Sequence, residues 1–380
     1  MSTIKVNRIE NTSTTDGGVS IDVNGHVTID GQQLPTAGPL SNRNLIINGA
    51  MNVAQRGAGP FTNASGGYQT VDRFQLEGTL GGNFTLEQAS DAPNGSGFSK
   101  SFKALAPTGF PSLTAGASAK VKTSIEAQNL QQLLYGTSDA VYITVSFWVK
   151  ATVTGTYILE ISQDDATRHL STAYTISSSD TWEKKTISVV GDTSGTINND
   201  NGSGLSLNWF IGAGSNFTSG TLATTWAATV AANRAVGQVN GAASNGDAFY
   251  ITGVQLEVGS KSTPFEHESY GQTLAKCQRY FQKLVLFGGV VCMGSDANRT
   301  ARYPQRLSVK MSRTPTAINL VQDTAATVTT QTGTVSTKTE PTAIAPRADD
   351  LIEVNTLAFN NALHTIRYAN ASVELDAELI

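Results

Sequence analysis

The stretch VYITVSFWVKA, residues 141–151, alternates apolar and polar side chains with a period of two. In an extended strand this period places every second side chain on the same face, so one face is expected to be buried and the other to point outwards. The predicted inner positions are Val141, Ile143, Val145, Phe147 and Val149, and the predicted outer positions are Tyr142, Thr144, Ser146, Trp148 and Lys150. A helix would spread the same apolar side chains around its circumference.

The same pattern recurs between turns rich in Gly, Asn, Asp and Ser, in the stretches GTYILEIS, TWEKKTISVV, GLSLNWFIGAG and AFYITGVQLEVG. Short strands at such intervals, without a long helical period, are typical of an antiparallel sandwich. The sequence therefore predicts an all-β jelly-roll β-sandwich over residues 43–268. The sandwich is expected to open with a buried strand at Asn44–Ile47 that ends at Asn48-Gly49, and residues 123–136 are expected to form a helix or an ordered loop.

Residues 1–42 are polar and rich in glycine, and they predict a separate N-terminal arm. Alternating runs at 19–23 and 27–29 flank Asn24-Gly25, which is the strongest short signal for a β-hairpin because a type I′ turn needs positive φ at both central positions. A lone hairpin is marginal in water, so its apolar side chains must be buried against sister chains or a host structure. Pro35–Pro39 is expected to be a linker to the sandwich.

The hydrophobic period changes to that of a helix at residues 269–284, where Ser269 is a candidate N-cap. The apolar positions are spaced 3, 4 and 3 residues apart, at Leu274, Cys277, Phe281 and Leu284. This predicts a short amphipathic linking helix, either packed on its own sandwich or placed around a threefold axis. Residues 285–380 return to short strand patterns and predict a smaller C-terminal β domain.

Charge and composition exclude several partners. With 26 basic and 30 acidic residues, a net charge of −4 and no run of Lys or Arg, nucleic acid is not an expected partner. The start MSTIKVNRIENTS does not have the pattern of a secretory signal peptide, and no stretch approaches the ~18 apolar residues of a membrane span, so membrane insertion is not expected. Cys277 and Cys292 are expected to be reduced core residues.

Residues that could carry catalysis are sparse, so the chain is expected not to be an enzyme and to need no cofactor. The four histidines stand far apart, in no zinc or nucleophile spacing. Asp164-Asp165 and Asp349-Asp350 could supply two carboxylates for glycoside hydrolysis. Neighbours on a strand point to opposite faces, however, and solvated turns are the preferred interpretation of both pairs.

Sugar binding requires flat aromatic faces beside groups that hydrogen-bond hydroxyls, which makes the tryptophans the next candidates. Trp209 shares a strand face with Leu205, Leu207 and Ile211 and is expected in the core. Trp182 is expected to close the sandwich as a lid, and Trp148 to lie on an outer sheet face or at an interface. Trp226, in an Ala/Thr-rich stretch, is the tryptophan expected to be exposed, for a ligand or for a subunit interface.

A second candidate ligand site is SDANRTARYPQR, residues 295–306. Arg299, Arg302 and Arg306 offer forked hydrogen-bond donors, and Tyr303 offers a stacking face. The alternative is a polar turn followed by a strand.

Several of these stretches resemble a recurrent set in tail-fibre and minor tail proteins of phages, especially phages of cyanobacteria and other aquatic bacteria. They are NLIINGAMNVAQRG, YQTVDRF and AFYITGVQLEVGSKSTPFEHESYGQTLAKCQRYFQK. STIKVNRIENTS followed by GGVSIDVNGHVTIDGQ resembles the N-terminal segment of such fibres, and PQRLSVKMSRTPTAI and ELDAEL are similar to their C-terminal domains. The resemblance implies a homotrimeric virion fibre, made in the host cytoplasm. Its arm would dock on a phage tail or adaptor protein, and its distal domains would bind host surface polysaccharide.

The sandwich also resembles jelly-roll carbohydrate-binding modules, which commonly begin with a strand ending in Asn-Gly and finish with an aromatic-Ile-Asp-Asp-Val strand. Here the finish is FYITGVQLE, with Thr252-Gly253 where acidic residues often stand. The structural calcium of those modules is therefore not expected. Asn48 and Glu257 are the residues that could still contribute to a calcium site, which needs several oxygen ligands.

Three functions stay open at this point. The favoured one is a tail fibre that attaches by residues 1–42 and binds host glycan through residues 285–380, with the Trp226 loop as a secondary site. The second is a purely structural collar, head or tail decoration protein. The third is a glycan-degrading tailspike, which needs two carboxylates roughly 5–10 Å apart, although the long repeats of a parallel β-helix are absent.

Overall fold

The structure is a computed structural model in which side chains are described at residues 18–20, 42–62, 67–80, 83–283, 307–313 and 375–378. Further strands are described by their backbone, at residues 8–10, 21, 27–29, 32–33, 284–285, 288–292, 299–306, 317–321, 327–330, 335–337, 341–348, 351–359, 364–368 and 372–374. Among the described residues, strand is the main regular structure and helices are few, which confirms the all-β prediction. Among their helices, none is long and apolar enough to span a bilayer.

The arm forms a small antiparallel sheet of four very short strands: β1 (Arg8–Glu10), β2 (Gly18–Ile21), β3 (Val27–Ile29) and β4 (Gln32–Gln33). Val19 pairs with Ile29 and Ile21 pairs with Val27, which confirms the predicted hairpin. Its turn residues Asn24-Gly25 lie outside the described residues. The hairpin is thus the centre of a four-stranded sheet rather than an isolated pair.

The sandwich consists of two antiparallel sheets. The larger is built from β5 (Gln75–Glu77), β8 (Ser118–Glu126), β10 (Gly155–Gln163), β11 (Arg168–Ile176), β13 (Ser203–Ala213) and β14 (Ala227–Ala228), in the order β14-β11-β10-β13-β8-β5. The smaller is built from β6 (Thr85–Ala89), β7 (Ser101–Leu105), β9 (Ile143–Ala151), β12 (Glu183–Val189) and β15 (Ala248–Val258), in the order β12-β9-β15-β7-β6. This is the predicted jelly-roll sandwich.

The core lies between the two sheets, where the alternation in the sequence places it. Four inner positions of β9 are fully buried: Ile143, Val145, Phe147 and Val149. From the facing sheet Trp209 is also fully buried, and its ring meets Phe147 edge to face at 5.6 Å. The prediction for Trp209 is confirmed, and so is burial of the inner positions of β9. The expected exposure of its outer positions is wrong for Thr144, Ser146 and Lys150, which are buried as well.

Residues 123–136, for which a helix or an ordered loop was expected, contain the end of β8 and a 3-10 helix, Ala127–Leu133. Leu130 and Leu133 on this helix are buried against the core. Leu134 adopts the left-handed conformation, with φ of 54°, and ends the helix. The helix therefore caps one end of the sandwich.

The predicted strand at Asn44–Ile47 is wrong, because this segment contacts β15 through one backbone hydrogen bond, from the Leu45 N–H to the Leu256 carbonyl, and otherwise through the side chain of Asn44. The Asn44 Oδ1 accepts from the backbone N–H of Ile46 at 3.0 Å and of Leu256 at 3.1 Å. Its Nδ2 donates to the carbonyl of Val254 at 3.1 Å. The segment crosses the edge of β15 as an irregular turn, although Ile46 is buried as predicted.

The linking helix α2 (Tyr270–Gln278) is shorter than predicted, and it follows α1 (Ser215–Thr218) in the chain. Its predicted N-cap is confirmed, since Ser269 and Gln272 form a reciprocal capping box. The expected seam as far as Leu284 is wrong, because the chain leaves the helix before Phe281 and pairs as a strand. Cys277 is buried with a free thiol, as predicted.

A second β region follows the helix and consists of three small sheets. Its strands are β16 (Phe281–Val285), β17 (Gly288–Cys292), β18 (Arg299–Arg306), β19 (Ala317–Val321), β20 (Thr327–Thr330), β21 (Val335–Thr337), β22 (Pro341–Ala348), β23 (Leu351–Phe359), β24 (His364–Tyr368) and β25 (Ser372–Asp376). They pair in the orders β16-β25-β19, β17-β24-β20-β21 and β18-β23-β22. This agrees with the predicted smaller C-terminal β region.

The base of this second region is joined to the sandwich by buried charges. Arg73, 1% exposed, pairs with Glu378, and Arg56 pairs with Asp376 at 3.0 Å. The guanidinium carbon of Arg73 also lies 3.5 Å from the ring centroid of Tyr280. Both ends of the second region, β16 and β25, are thus held at the sandwich.

Candidate functional site

The outer face of the smaller sheet carries half-buried aromatic rings beside polar and charged side chains, several of which are buried. Lys150 on β9 pairs in register with Tyr250 on β15, and Trp148 pairs with Thr252. These are the outward positions that the alternation in β9 predicts. Trp148 therefore lies on an outer sheet face, one of the two places expected for it.

Trp182, which directly precedes β12, joins this face. Its indole Nε1 donates to Asp91 Oδ1 at 2.9 Å, and its ring meets Tyr250 edge to face at 6.2 Å. The ammonium of Lys150 lies 4.2 Å from the Tyr250 centroid and also pairs with Asp91. The ring is half-buried against the outside of the sheet and does not pack on the core, so the prediction of a lid over the sandwich is wrong.

Two charged groups on this face, Asp91 and Lys103, are held in their ionised forms. Partial burial alone would raise the pKa of Asp91, but hydrogen bonds from Lys150 and Trp182 outweigh it and hold the pKa below its ordinary value. Burial alone would lower the pKa of Lys103, but its hydrogen bond to Glu87 and its proximity to Tyr250 raise it. The face therefore offers a carboxylate and ammonium groups beside aromatic rings.

A second aromatic group continues this surface. The rings of Phe98, Phe265 and His267 have centroids 4.8 to 5.3 Å apart. Gly253 of β15, in a β-bulge with φ of 61°, lies between these rings and Trp148 of β9. A Cβ at this position would lie 2.7 Å from Phe98 Cζ and 3.1 Å from Trp148 Cδ1. Only a residue without a side chain leaves room for both rings.

These six residues form what we call the aromatic strip, a row of rings along the outer face of the smaller sheet. Its members are Trp182, Tyr250, Trp148, Phe98, Phe265 and His267. Asp91, Lys150 and Lys103 stand beside its first half. Flat apolar rings flanked by ionised donors and acceptors can contact a ligand that has both apolar faces and hydroxyl groups.

A cleft of about 690 Å³ lies elsewhere, at the edge of the sandwich. We call it the edge cleft, and it is framed by residues 42–47, the end of β8, the 3-10 helix that follows and α2. Apolar side chains in its lining are Leu45, Ile47, Ile125 and Tyr280, and amide side chains are Asn42, Asn44, Gln128, Asn129 and Gln132. Its volume is within the ~300–1,000 Å³ of typical small-molecule sites.

One ion pair forms part of the wall of the edge cleft. Arg279 donates from Nε and Nη2 to the two oxygens of Glu126, at 2.8 and 2.9 Å. Burial alone would raise the pKa of Glu126, but the hydrogen bonds from Arg279 and Gln128 lower it. This pair also fixes α2 to β8, which agrees with a helix packed on its own sandwich.

The outer face of the larger sheet holds a buried polar cluster rather than an open site. Glu160 is fully buried, Arg234 donates to its two oxygens at 2.6 and 2.7 Å, and His169 Nδ1 lies 3.0 Å from Oε1. Burial alone would raise the pKa of Glu160, but the hydrogen bonds from His169 and Arg234 hold it at about 2. The cluster anchors the segment that contains Arg234 to β10.

The aspartate pairs considered for hydrolysis do not converge in the described part of the chain. Asp164 Oδ2 accepts from Ser206 Oγ at 2.6 Å, whereas Asp165 accepts from the backbone and side chain of Asn198 at 2.9 and 2.8 Å. Burial raises the pKa of Asp164. The two carboxylates thus bond to different segments, Asp164 to β13 and Asp165 to Asn198. Both lie in the turn after β10, as expected, but Asp164 is half-buried rather than solvated. Asp349-Asp350 lie outside the described residues.

Trp226 has a packing role. Its Nε1 donates to the carbonyl of Val190 at 2.8 Å, and its ring meets Tyr135 edge to face at 5.6 Å. The side chain is half-buried and packs against the main core. The other predicted ligand residues, Arg299, Arg302, Tyr303 and Arg306, fall within β18, and their side chains lie outside the described residues.

The two candidate calcium ligands have protein partners. Asn48 Nδ2 donates to the carbonyls of Val53 and Asp72, each at 2.9 Å, and its Oδ1 accepts from Val53 N–H at 3.0 Å. Glu257 accepts from the backbone and hydroxyl of Thr263 at 2.8 and 2.6 Å. Within the described ranges, no three His, Cys, Asp or Glu side chains cluster to hold a metal.

Sequence reasoning missed Asp91, Tyr250 and Phe98 as members of one surface. The outward position of Tyr250 could have been predicted, because Tyr250 lies between the inner positions Phe249 and Ile251 of β15. Asp91 and Phe98 belong to a loop without any period, and they reach the strip only through the folded arrangement of the sheets. No local pattern could have placed them there.

No protein-family model and no curated protein matches the chain. Among solved structures, an enzymatically active domain of tailspike protein 4 of bacteriophage CBA120 is 18% identical with a TM-score of 0.29, covering 59% of this chain and 24% of that one. TmCBM61, solved with β-1,4-galactotriose, is 11% identical with a TM-score of 0.31, covering 57% of this chain and 99% of that one. A family 22 carbohydrate-binding module of Clostridium thermocellum Xyn10B is 10% identical with a TM-score of 0.30, covering 59% and 100%.

Proposed function

We propose that this chain is a glycan-binding protein of a virion, a tail fibre, and that its sandwich contacts carbohydrate through the aromatic strip. The observation that carries the proposal is the arrangement of Trp182 and Tyr250 beside Asp91 and Lys150. A sugar ring has one apolar face and a rim of hydroxyl groups. Aromatic rings match the face, and an ionised carboxylate and ammonium match the rim.

The rest of the strip supports an extended ligand. From Trp182 to Phe265 the half-buried rings lie along the outer face of the smaller sheet. Several rings on one face suit a polysaccharide chain, whose successive residues can contact different rings. The contact is proposed to be non-covalent, without catalysis and without a cofactor.

Host recognition by residues 285–380 stays part of the proposal. In a fibre held at residues 1–42, the second β region is proposed to lie beyond the sandwich, and the residues proposed for contact there are Arg299, Arg302, Tyr303 and Arg306 of β18. Trp226, being packed against Tyr135, is a weaker second candidate than the strip.

The proposed assembly is a homotrimer whose arm docks on a phage tail or adaptor protein. Its support is the size of the arm strands, which have two to four residues each. Such a sheet cannot bury enough apolar surface to be stable by itself. Association of three arms, and of the arms with a tail protein, would supply the missing burial.

The test is binding of the purified chain to an array of immobilised bacterial surface polysaccharides. Trp182→Ala should weaken binding to the recognised polysaccharide about tenfold, or about 1.4 kcal/mol. Tyr270→Ala is the matched control, because Tyr270 is 59% exposed and lies outside the strip. A purely structural protein would bind no polysaccharide, and a glycan-degrading tailspike would shorten it.

A further inference from the structure

We infer that the edge cleft is a second ligand site, and that it takes an uncharged sugar carrying an acetamido group. The inference rests on the proposed function, since it names a sugar class for a second site of a glycan-binding chain. The edge cleft differs from the aromatic strip in the kind of apolar surface and in its hydrogen-bonding groups, and both differences bear on the ligand.

The charged groups of the edge cleft are already paired. Arg279 and Glu126 form a bidentate ion pair, and Lys276 pairs with Glu268. A charged sugar would find no unpaired counter-charge among these groups, and it would lose hydration on entering. A neutral ligand avoids that cost.

The rim of the edge cleft supplies amides. Within the described part of the chain, the side-chain amides of Asn42 and Asn129 have no hydrogen-bond partner. Gln132 donates from Nε2 to the carbonyl of Asn129 at 3.0 Å, which leaves its Oε1 available. Each free amide offers a donor and an acceptor at neighbouring atoms. An acetamido group offers the complementary N–H and carbonyl, so it can satisfy both at once.

The apolar part of the edge cleft is aliphatic rather than flat. Leu45, Ile47 and Ile125 contribute branched side chains. Tyr280 is only 1% exposed, and the Arg73 guanidinium occupies one face of its ring at 3.5 Å, so the ring does not serve as a stacking platform. A branched aliphatic surface accommodates a methyl group better than a sugar face. The acetamido methyl is such a group, and a plain hexose has none.

The edge cleft is held in shape by contacts outside its lining. The backbone N–H groups of Asn42 and Asn44 donate to the two oxygens of Glu266, at 2.7 and 2.8 Å. The Asn44 side chain is bonded to Val254 and Leu256 of β15. The wall that carries Leu45 and Ile47 is therefore preformed, which lowers the entropy cost of binding.

The experiment titrates the full-length chain with N-acetylglucosamine, N-acetylgalactosamine and glucose, using ligand-observed NMR and calorimetry. We expect at least one acetamido sugar to bind at least tenfold more tightly than glucose. Ile47→Ser should remove most of this preference, and Asn129→Ala should weaken the acetamido sugar about fivefold. Asn83→Ala is the matched control, because Asn83 is an exposed amide outside the cleft lining, and it should leave binding unchanged.

Equal binding of glucose and both acetamido sugars, binding of none of them, or insensitivity to both cleft variants overturns the inference. The same titrations with Trp182→Ala separate it from the proposed function. If Trp182→Ala loses polysaccharide binding and the parent chain shows no preference for acetamido sugars, the ligand inferred for the edge cleft is refuted. The proposed glycan binding by the aromatic strip then stands. If acetamido sugars bind and their binding needs Asn129 and Ile47, the ligand inferred for the edge cleft is supported. If polysaccharide binding is also unaffected by Trp182→Ala, glycan binding by the aromatic strip is refuted.

Discussion

Arg73 and Glu378 lie 305 positions apart in the chain and form a buried ion pair. Arg73 also donates from Nη2 to the carbonyl of Ser124 at 2.5 Å, and its guanidinium lies over the ring of Tyr280, just after α2. The same side chain therefore contacts β8, the start of the second β region and its end. One guanidinium holds together the sandwich and both ends of the region beyond it.

We expect Glu378→Gln to destabilise the protein by about 3–5 kcal/mol, because it leaves the Arg73 charge buried without its anion. Glu268→Gln is the matched control. Its partner Lys276 is on the surface, with the two side chains 38% and 25% exposed, so its loss should cost at most about 1 kcal/mol. Chemical denaturation of both variants measures the difference, and equal losses would refute a special role for the buried pair.

Acid should weaken the protein through Glu160, whose folded pKa of about 2 lies below its ordinary value of 4.5. An acid with a lowered folded pKa stabilises the folded state fully above its unfolded pKa, and that contribution disappears as the pH falls from about 4.5 to about 2. The contribution is about 3 kcal/mol. Unfolding free energies measured at a series of pH values should therefore fall less steeply over this window in Glu160→Gln than in the parent chain. Parallel curves would contradict the assignment.

Gly253 should be needed for the aromatic strip. Gly253→Ala would put a Cβ 2.7 Å from Phe98 Cζ at a residue with φ of 61°, so Phe98 must move away from Trp148. We expect weaker polysaccharide binding and a loss of about 1–3 kcal/mol in stability. Gly246→Ala is the control, since Gly246 also has positive φ, at 87°, but its Cβ would meet nothing within 4 Å. It should lose stability without losing binding; equal binding in both variants would count against the role of Gly253.

The proposed trimer predicts a mass of about three times 40.0 kDa for the full-length chain in light scattering. A chain without the arm, residues 1–42, should remain soluble, melt cooperatively and no longer join virions, because the arm is the proposed attachment. A stable folded monomer of the full-length chain at micromolar concentration would refute the trimer. Normal incorporation of the shortened chain into virions would refute attachment by the arm.

The parts of the fold that depend on local pattern could be predicted from the sequence. Alternation identified the inner and outer faces of β9, and the spacing from Ser269 to Gln272 identified the capping box of α2. The end of α2 could not be predicted, because the helical spacing continues through Phe281 to Leu284 while both residues pair with β25. That pairing joins segments far apart in the chain, since Phe281 stands opposite Asp376 in the ladder.

Long-range contacts also explain what was missed at the candidate site. The residues next to Asn44 in the sequence have the apolar pattern of a strand. Its side chain, however, hydrogen-bonds to Val254 and Leu256 of β15, which are 210 and 212 residues away in the chain. Asp91 and Trp182 are 91 residues apart and meet only in the folded sandwich. Contacts of this kind leave no periodic pattern or residue spacing in a single sequence from which they could be predicted.

The most direct measurement of the central claim is polysaccharide binding by the double variant Trp182→Ala/Tyr250→Ala, compared with Tyr270→Ala, on the array of bacterial surface polysaccharides. The strip account predicts that the double variant loses binding by at least about a hundredfold, or about 2.8 kcal/mol, while its melting temperature stays within a few degrees of that of the control. Undiminished binding by the folded double variant would contradict the claim that the aromatic strip is the glycan-binding surface.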